Sequence, residues 1–451
     1  MERQSDAAAV PQRKAMGSSQ NEDEGSNRGA VPGSLRQPLL SPGSSGLRGV
    51  VDSEGRVDES RLRAYIFKQG GVLPGDRRLV WGFLFGMYPC SSTALERAAL
   101  SEELGVRYQT MKRKWQRELP GAVRMRLNGT DEELIAAVKR FERRRLEAEE
   151  SEAEESEEAR EKKAFLQLQA QVLIDRVQLD IEELQEAVRI IDKDVPRTER
   201  DLDYFLGEGS ANLLVLREVL ITFAAFHPDV SYTQGMNELC SRFLEVLDSE
   251  RDSYWCFSSY MEKIADDFKA DGLRRKIELE VKLLQELDPE LHAHLGREDL
   301  GSLTVLGSCR WLLLGFQREF EHSDALRLFE ILSSNHLELN EIRDQERLRG
   351  GGEGRMELLP SVNPDFTFEL FLCAAILLEH RATLLSCPSE VHLIQFTNSL
   401  QGKLDLNATL QKAEELFIKY CKKSVLDCFK NHCLQPKDRE PFSFPLRSFF
   451  S

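Results

Sequence analysis

One pattern recurs along most of this chain. Large apolar residues return at i, i+3, i+4 and i+7, the spacing that lines one face of a helix. It is present in "LVWGFLFGMY", "LLVLREVLITFAAF", "LTVLGSCRWLLLGFQREF", "FTFELFLCAAILL" and "ATLQKAEELFIKYC". No alternating strand pattern with hairpin turns competes with it. The one Asn-Gly pair, Asn128-Gly129, lies between "RMRL" and "TDEELI" and reads as a loop before a capped helix. The expected fold class is therefore all-α, with well over ten helices. Hydrophobic residues at 41% and charged residues at 30% suit a globular core of that kind.

The pattern fails at a few places, which divide the chain. Residues 1–49 are rich in Ser, Gly, Pro and Arg and bury too little to offset ordering entropy, so a disordered N-terminal tail is expected. Order should begin near "DSEGRVDESRLRAYIF", where Asp58 or Ser60 can cap a helix carrying Leu62, Tyr65 and Ile66. The tail is accordingly taken as residues 1–57. Residues 141–163, "FERRRLEAEESEAEESEEAREKK", are mostly charged and read as a solvated helix or a disordered insert that adds little to the core. Three consecutive glycines mark a flexible loop at 347–355.

The net charge of −16 argues against nucleic acid as the main partner and against simple adhesion to anionic lipid. The nine cysteines are scattered through mostly apolar runs and read as free thiols in a reducing compartment. Cys421, Cys428, His432 and Cys433 match no familiar zinc spacing. No signal peptide and no run of about 18 apolar residues is evident, so a cytoplasmic protein with no membrane span is expected.

Motifs of self-contained enzymes are missing: there is no GxSxG, HExxH or GxxxxGK[ST]. Two polar stretches remain. "IIDKDVPRTERDL" carries Asp194, Arg197 and Thr198; "SYTQGMNEL" carries Tyr232, Gln234, Gly235 and Met236. Arg197 is a permanently charged planar fork suited to phosphate oxygens, and Asp194 is placed to hold it. Gln234 can donate and accept, so it can orient a water. Gly235 permits close backbone approach. An arginine plus a water-orienting glutamine is what nucleoside triphosphate hydrolysis needs beyond a metal and a phosphate cradle. Because the chain shows neither metal site nor cradle, another protein is expected to hold the nucleotide. An ordinary ion pair at Arg197 and a helix cap at Gln234 account for the same spacing. The helix between the two stretches, roughly 211–226, spans on the order of 24 Å. The stretches meet only if the chain folds back around each.

At these residues the sequence resembles the TBC domain, the family of Rab GTPase-activating proteins. The family's IxxDxxRT signature stands as Ile191, Asp194, Arg197 and Thr198, and YxQGM as Tyr232, Gln234, Gly235 and Met236. "GGVLPGDRRLVW", with Arg77 and Trp81, "RWLLLGFQREF" at 310–320, and later helical blocks ending near Tyr420 are similar to flanking family elements. The resemblance places one TBC domain at about 58–425, with the 141–163 insert and the 347–355 loop inside it and a C-terminal tail at 426–451. It implies acceleration of GTP hydrolysis on a Rab-type GTPase in its GTP form, as an activator with no hydrolase activity of its own. In that picture Arg197 is an arginine finger and Gln234 a glutamine finger. Asp194, Thr198, Tyr232, Gly235, Met236, Arg77 and Trp81 support them. GTP and Mg belong to the partner, so no cofactor is expected here. Membranes are reached only through the GTPase, with recruitment to endomembranes and a role in vesicle trafficking. A non-catalytic scaffold on the same domain is the alternative. Phe329 stands where the family more often has Trp, and a core substitution is expected there. A coiled-coil adaptor over 141–190 is disfavoured because apolar heptads do not persist.

Overall fold

The computed structural model describes residue 47 and residues 49–125, 132–152, 157–296, 308–337 and 365–421. The tail at 1–46, the 347–355 loop, the segment 426–451 and the candidate ligands Cys428, His432 and Cys433 lie outside the described residues. Within them the fold is all-α, and an isolated bridge between Val51 and Val57 is the extent of extended pairing.

The first half comprises α1 (Glu59–Gln69), α2 (Arg77–Leu84), α3 (Ala94–Glu118), α4 (Glu132–Glu152), α5 (Glu157–Ile174), α6 (Ile181–Asp194), α7 (Asn212–Phe226), α8 (Met236–Leu247) and α9 (Glu250–Ile264). The second half comprises α10 (Ala270–Leu287), α11 (Pro289–Leu295), α12 (Ser308–Leu314), α13 (His322–Ser333), α14 (Phe368–Glu379), α15 (Arg381–Ser386), α16 (Glu390–Ser399) and α17 (Leu406–Tyr420). Each half packs around its own apolar cluster, with Leu314, Leu326 and Phe329 of the second half contributing to the first cluster and Phe67 of the first half to the second.

Helix starts follow the local chemistry. Asp58, Asp180, Ser249 and Asp405 each accept a backbone N–H of the first turn of their helix. Thr93 and Glu96 close a reciprocal capping box on α3.

The central helix is α7. The window Gly207–Phe226 is long and apolar enough to cross a membrane by composition, yet 78% of it is buried inside the protein. A helix apolar all round belongs in the middle of a core. Its two buried charges are paired. Arg217 donates to Asp192 at 2.6 Å and to the Ala122 carbonyl at 2.9 Å, and Glu218 meets Lys112 at 3.1 Å.

The charged stretch 141–163 is helical wherever it is described. Its ends belong to α4 and α5, with residues 153–156 outside the described set. Its start is also docked: Phe141 is half-buried against the first core, and Arg144 bonds Asn212 Oδ1 at 3.1 Å. Charge density concealed this, because one aromatic anchor is enough to seat a helix end. Replacing 145–156 by a short Gly/Ser linker is therefore expected to leave the urea unfolding midpoint nearly unchanged. Replacing all of 141–163 should cost roughly 1–2 kcal/mol through loss of the Phe141 contact.

Candidate functional site

Asp194 is the last residue of α6. A 3-10 turn, Val195–Arg197, follows, with Pro196 fixing its backbone. Thr198 leaves the turn extended, but its hydroxyl reaches back to the Asp194 carbonyl at 2.9 Å. The local folding therefore buries Asp194 and Thr198 and turns Arg197 outward. The Arg197 side chain is 58% exposed, against 2% for Asp194, and its Nη2 donates to Asp194 Oδ1 at 2.5 Å.

The second stretch begins after α7. Ser231 takes a left-handed backbone, φ 48°, and Gly235 another, φ 106°. The reversal at Gly235 starts α8 and is a conformation that a Cβ strains. Between them Tyr232 is buried and Gln234 is exposed. Met236 is fully buried, and its sulfur accepts the Thr233 N–H at 3.4 Å.

The two stretches meet. Tyr232 donates its hydroxyl to Asp194 Oδ2 at 3.0 Å. Asn237 donates its amide to Thr198 Oγ1 at 2.9 Å and accepts the Gly235 N–H at 3.1 Å. The folding-back required by the length of α7 occurs on both sides. Residues 199–211 return through short 3-10 turns to the start of α7, and residues 227–235 turn back from its end. Asp194 thus serves as a shared anchor: one oxygen holds Arg197 and the other holds Tyr232. Burial, and then the Asp194 charge, push the Tyr232 phenol far above its usual range, so it remains a donor at any working pH.

Asn237 is the residue that sequence reasoning undervalued, as it entered there only as a neighbour of the signature. The available signal was a polar amide at the buried start of an apolar helix, where unmet hydrogen bonds are costly. Arg77 and Trp81 lie on α2 and bond to α13. Both donate to Glu330 Oε1, at 2.7 and 2.9 Å, and the Val72 N–H donates to Glu330 Oε2 at 2.8 Å. Their support for the site is indirect: the Trp81 ring lies edge-on to Phe243 of α8, with centroids 5.4 Å apart. Phe329 is a core residue, stacked on Phe85 with centroids 5.2 Å apart.

The outcome is two exposed side chains, one cationic and one amide, on loops cross-linked from beneath by buried bonds. Tyr232→Phe removes one of those bonds without changing shape. It is expected to cost about 1–3 kcal/mol in urea unfolding, because the buried Asp194 carboxylate loses a donor.

Comparison with known proteins gives a consistent picture. Residues 145–342 match the Rab-GTPase-TBC domain model. TBC1 domain family member 17 of Homo sapiens is 31% identical over 229 residues, covering 50% of this chain and 31% of that protein. GTPase-activating protein gyp7 of Schizosaccharomyces pombe is 25% identical over 387 residues, covering 82% of this chain and 40% of that protein. The chain therefore spans less than half the length of these relatives. The crystal structure of the Ypt/Rab-GAP domain of Gyp1p superposes with a TM-score of 0.52 at 16% identity, covering 83% of this chain and 98% of that one. That likeness establishes the fold.

Proposed function

Since the chain belongs to the Rab-GTPase-TBC domain family, we propose that it accelerates GTP hydrolysis on a Rab-type GTPase by lending Arg197 and Gln234 to the partner's nucleotide site. The observation that carries this reading is the pairing of two exposed side chains on mutually braced loops. An ion pair serving the fold alone has no need of an Arg197 that is 58% exposed. A helix cap alone has no need of an exposed Gln234 when Gly235 already starts α8.

The division of labour follows from the chemistry. The partner would hold GTP together with Mg, whose charge would offset that of the phosphates. Phosphoryl transfer then depends on positioning and on charge stabilisation at the oxygens of the moving group. Arg197 supplies a planar cation there, pre-oriented by Asp194 so that little order must be gained at the moment of reaction. Gln234 can accept a hydrogen bond from the attacking water while donating its own N–H toward the phosphate. Tyr232, Asn237, Thr198 and Asp194 act beneath, holding the loops.

On this reading the protein works in the cytoplasm, meets membranes through the GTPase and takes part in vesicle trafficking. The test is single-turnover hydrolysis across a panel of purified, GTP-loaded Rabs. At least one should be accelerated by the wild-type chain and not by Arg197→Ala. Binding of a Rab with no acceleration of any panel member would favour the scaffold reading.

A further inference from the structure

The end of α12 and the turn after it contact the arginine loop and α8, although they come from the second half of the chain. Gly315 and Phe316 are both left-handed there, φ 58° and 59°. A phenylalanine avoids that conformation unless its surroundings hold it. Here the fully buried Phe316 ring stacks on Trp311. The distorted turn carries the next side chain, Gln317, into the seam between the halves.

Gln317 is buried and bridges two charged groups. Its Oε1 accepts Arg242 Nε at 2.7 Å, and its amide donates to Glu199 Oε1. Glu199 is two residues beyond Arg197 and is itself left-handed, φ 45°. Arg242 lies on α8, the helix that Gly235 begins. It is buried, donates to the Leu314 carbonyl at 2.5 Å and sits 4.8 Å from the Phe329 ring centroid. Leu314 closes the other side, as a Cβ built on Gly235 would lie 3.1 Å from Leu314 Cδ2. The neighbouring Arg318 donates to Glu238 Oε2, also on α8, at 3.0 Å.

We propose that Gln317 is a positioning residue that sets the arginine loop and the glutamine helix in register, through Glu199 on one side and Arg242 on the other. This deepens the activating role proposed above and rests on it. The assignment follows from the chemistry of an amide. At this position the side chain must donate to a carboxylate and accept from a guanidinium at once. A carboxylate does only the second and an aliphatic chain does neither. Burial, and then the Glu238 charge, raise the Glu199 carboxyl above its usual value, so a neutral amide at 199 is a natural conservative replacement.

The test has one arm that needs no GTPase. Hydrogen exchange of the full chain carrying Gln317→Leu should show faster exchange in both 196–202 and 232–236, while α14 and α17 keep wild-type protection. The second arm measures single-turnover hydrolysis on a Rab that the wild type accelerates. Gln317→Leu should lower the saturated rate about tenfold or more with an unchanged half-saturating concentration, as a misplaced catalytic group does. Glu199→Gln should stay within about twofold of wild type, because its amide oxygen can still accept from Gln317. In an Arg197→Ala background Gln317→Leu should add little further loss. If Gln317→Leu does not fold, Glu199→Ala takes its place in both arms, since it leaves the Gln317–Arg242 bond intact. Wild-type exchange in both loops overturns the proposal whether or not any Rab responds. A rise in half-saturation with an unchanged saturated rate also overturns it, by making Gln317 part of a binding surface. A panel with no responding Rab, alongside loosened loops, sinks the activating role and leaves the brace standing.

Discussion

Arg197→Ala and Arg197→Lys are both expected to remove most of the acceleration while leaving the fold in place. Arginine fingers contribute on the order of 10³–10⁵ in rate, or about 4–7 kcal/mol of transition-state stabilisation. Lysine keeps the charge but loses the fork. The fork matters here because one branch is already committed: Nη2 donates to Asp194 Oδ1 at 2.5 Å. The guanidinium can hold that bond and still present other N–H groups to phosphate. A single ammonium on a flexible stem must divide itself between the two. The fold should survive because the Arg197 side chain is 58% exposed and Asp194 keeps its bond from Tyr232. The measurements are single-turnover hydrolysis on a responsive Rab and a thermal melt of each variant. A lysine variant with near wild-type activity would remove the finger assignment.

How far the sequence led depended on whether a feature is periodic or relational. Helices were legible because their apolar spacing is local, and Asp58 was a readable cap because capping involves only a few neighbouring residues. Arg197 and Gln234 were legible as chemistry, through the signatures that contain them. Their union was not legible. It depends on Tyr232 meeting Asp194 and Asn237 meeting Thr198, contacts between residues 38 and 39 positions apart. The chain reversals that bring them together turn on left-handed residues, and two of these, Glu199 and Ser231, are not glycines. Nothing in their side chains announces that backbone. Arg77 and Trp81 show the same limit from another side. Their family element was visible, but their partner, Glu330, lies about 250 positions away, 253 from Arg77 and 249 from Trp81. They brace α2 against α13, and Trp81 also reaches α8 through the Phe243 ring. Charge density misled in the same way at Phe141, whose ring is half-buried against the first core.

Gln234→Ala is expected to cost much of the acceleration, and this decides whose glutamine orients the attacking water. Many small GTPases carry an intrinsic glutamine for that role. If Gln234 takes it over, the intrinsic residue becomes largely redundant in the complex, and changing it to alanine should cost clearly less than Gln234→Ala. Among the amides of this stretch, the geometry leaves Gln234 little competition. Asn237 is the other side chain in "SYTQGMNEL" with an amide that both donates and accepts, and it is buried with its donor on Thr198 and its acceptor on Gly235. Tyr232 is occupied by Asp194. Gln234 itself is exposed, and the two bonds below it hold its backbone in place. The variant should therefore fold as wild type, with its deficit confined to the saturated hydrolysis rate. An orienting residue of this kind acts by positioning, where a misplacement of about 1 Å costs on the order of 10² in rate. Single-turnover hydrolysis with each variant and with the pair separates the possibilities. Should the Rab variant resist activation fully while Gln234→Ala remains active, the chain supplies Arg197 alone, and Gln234 merely precedes the turn that starts α8.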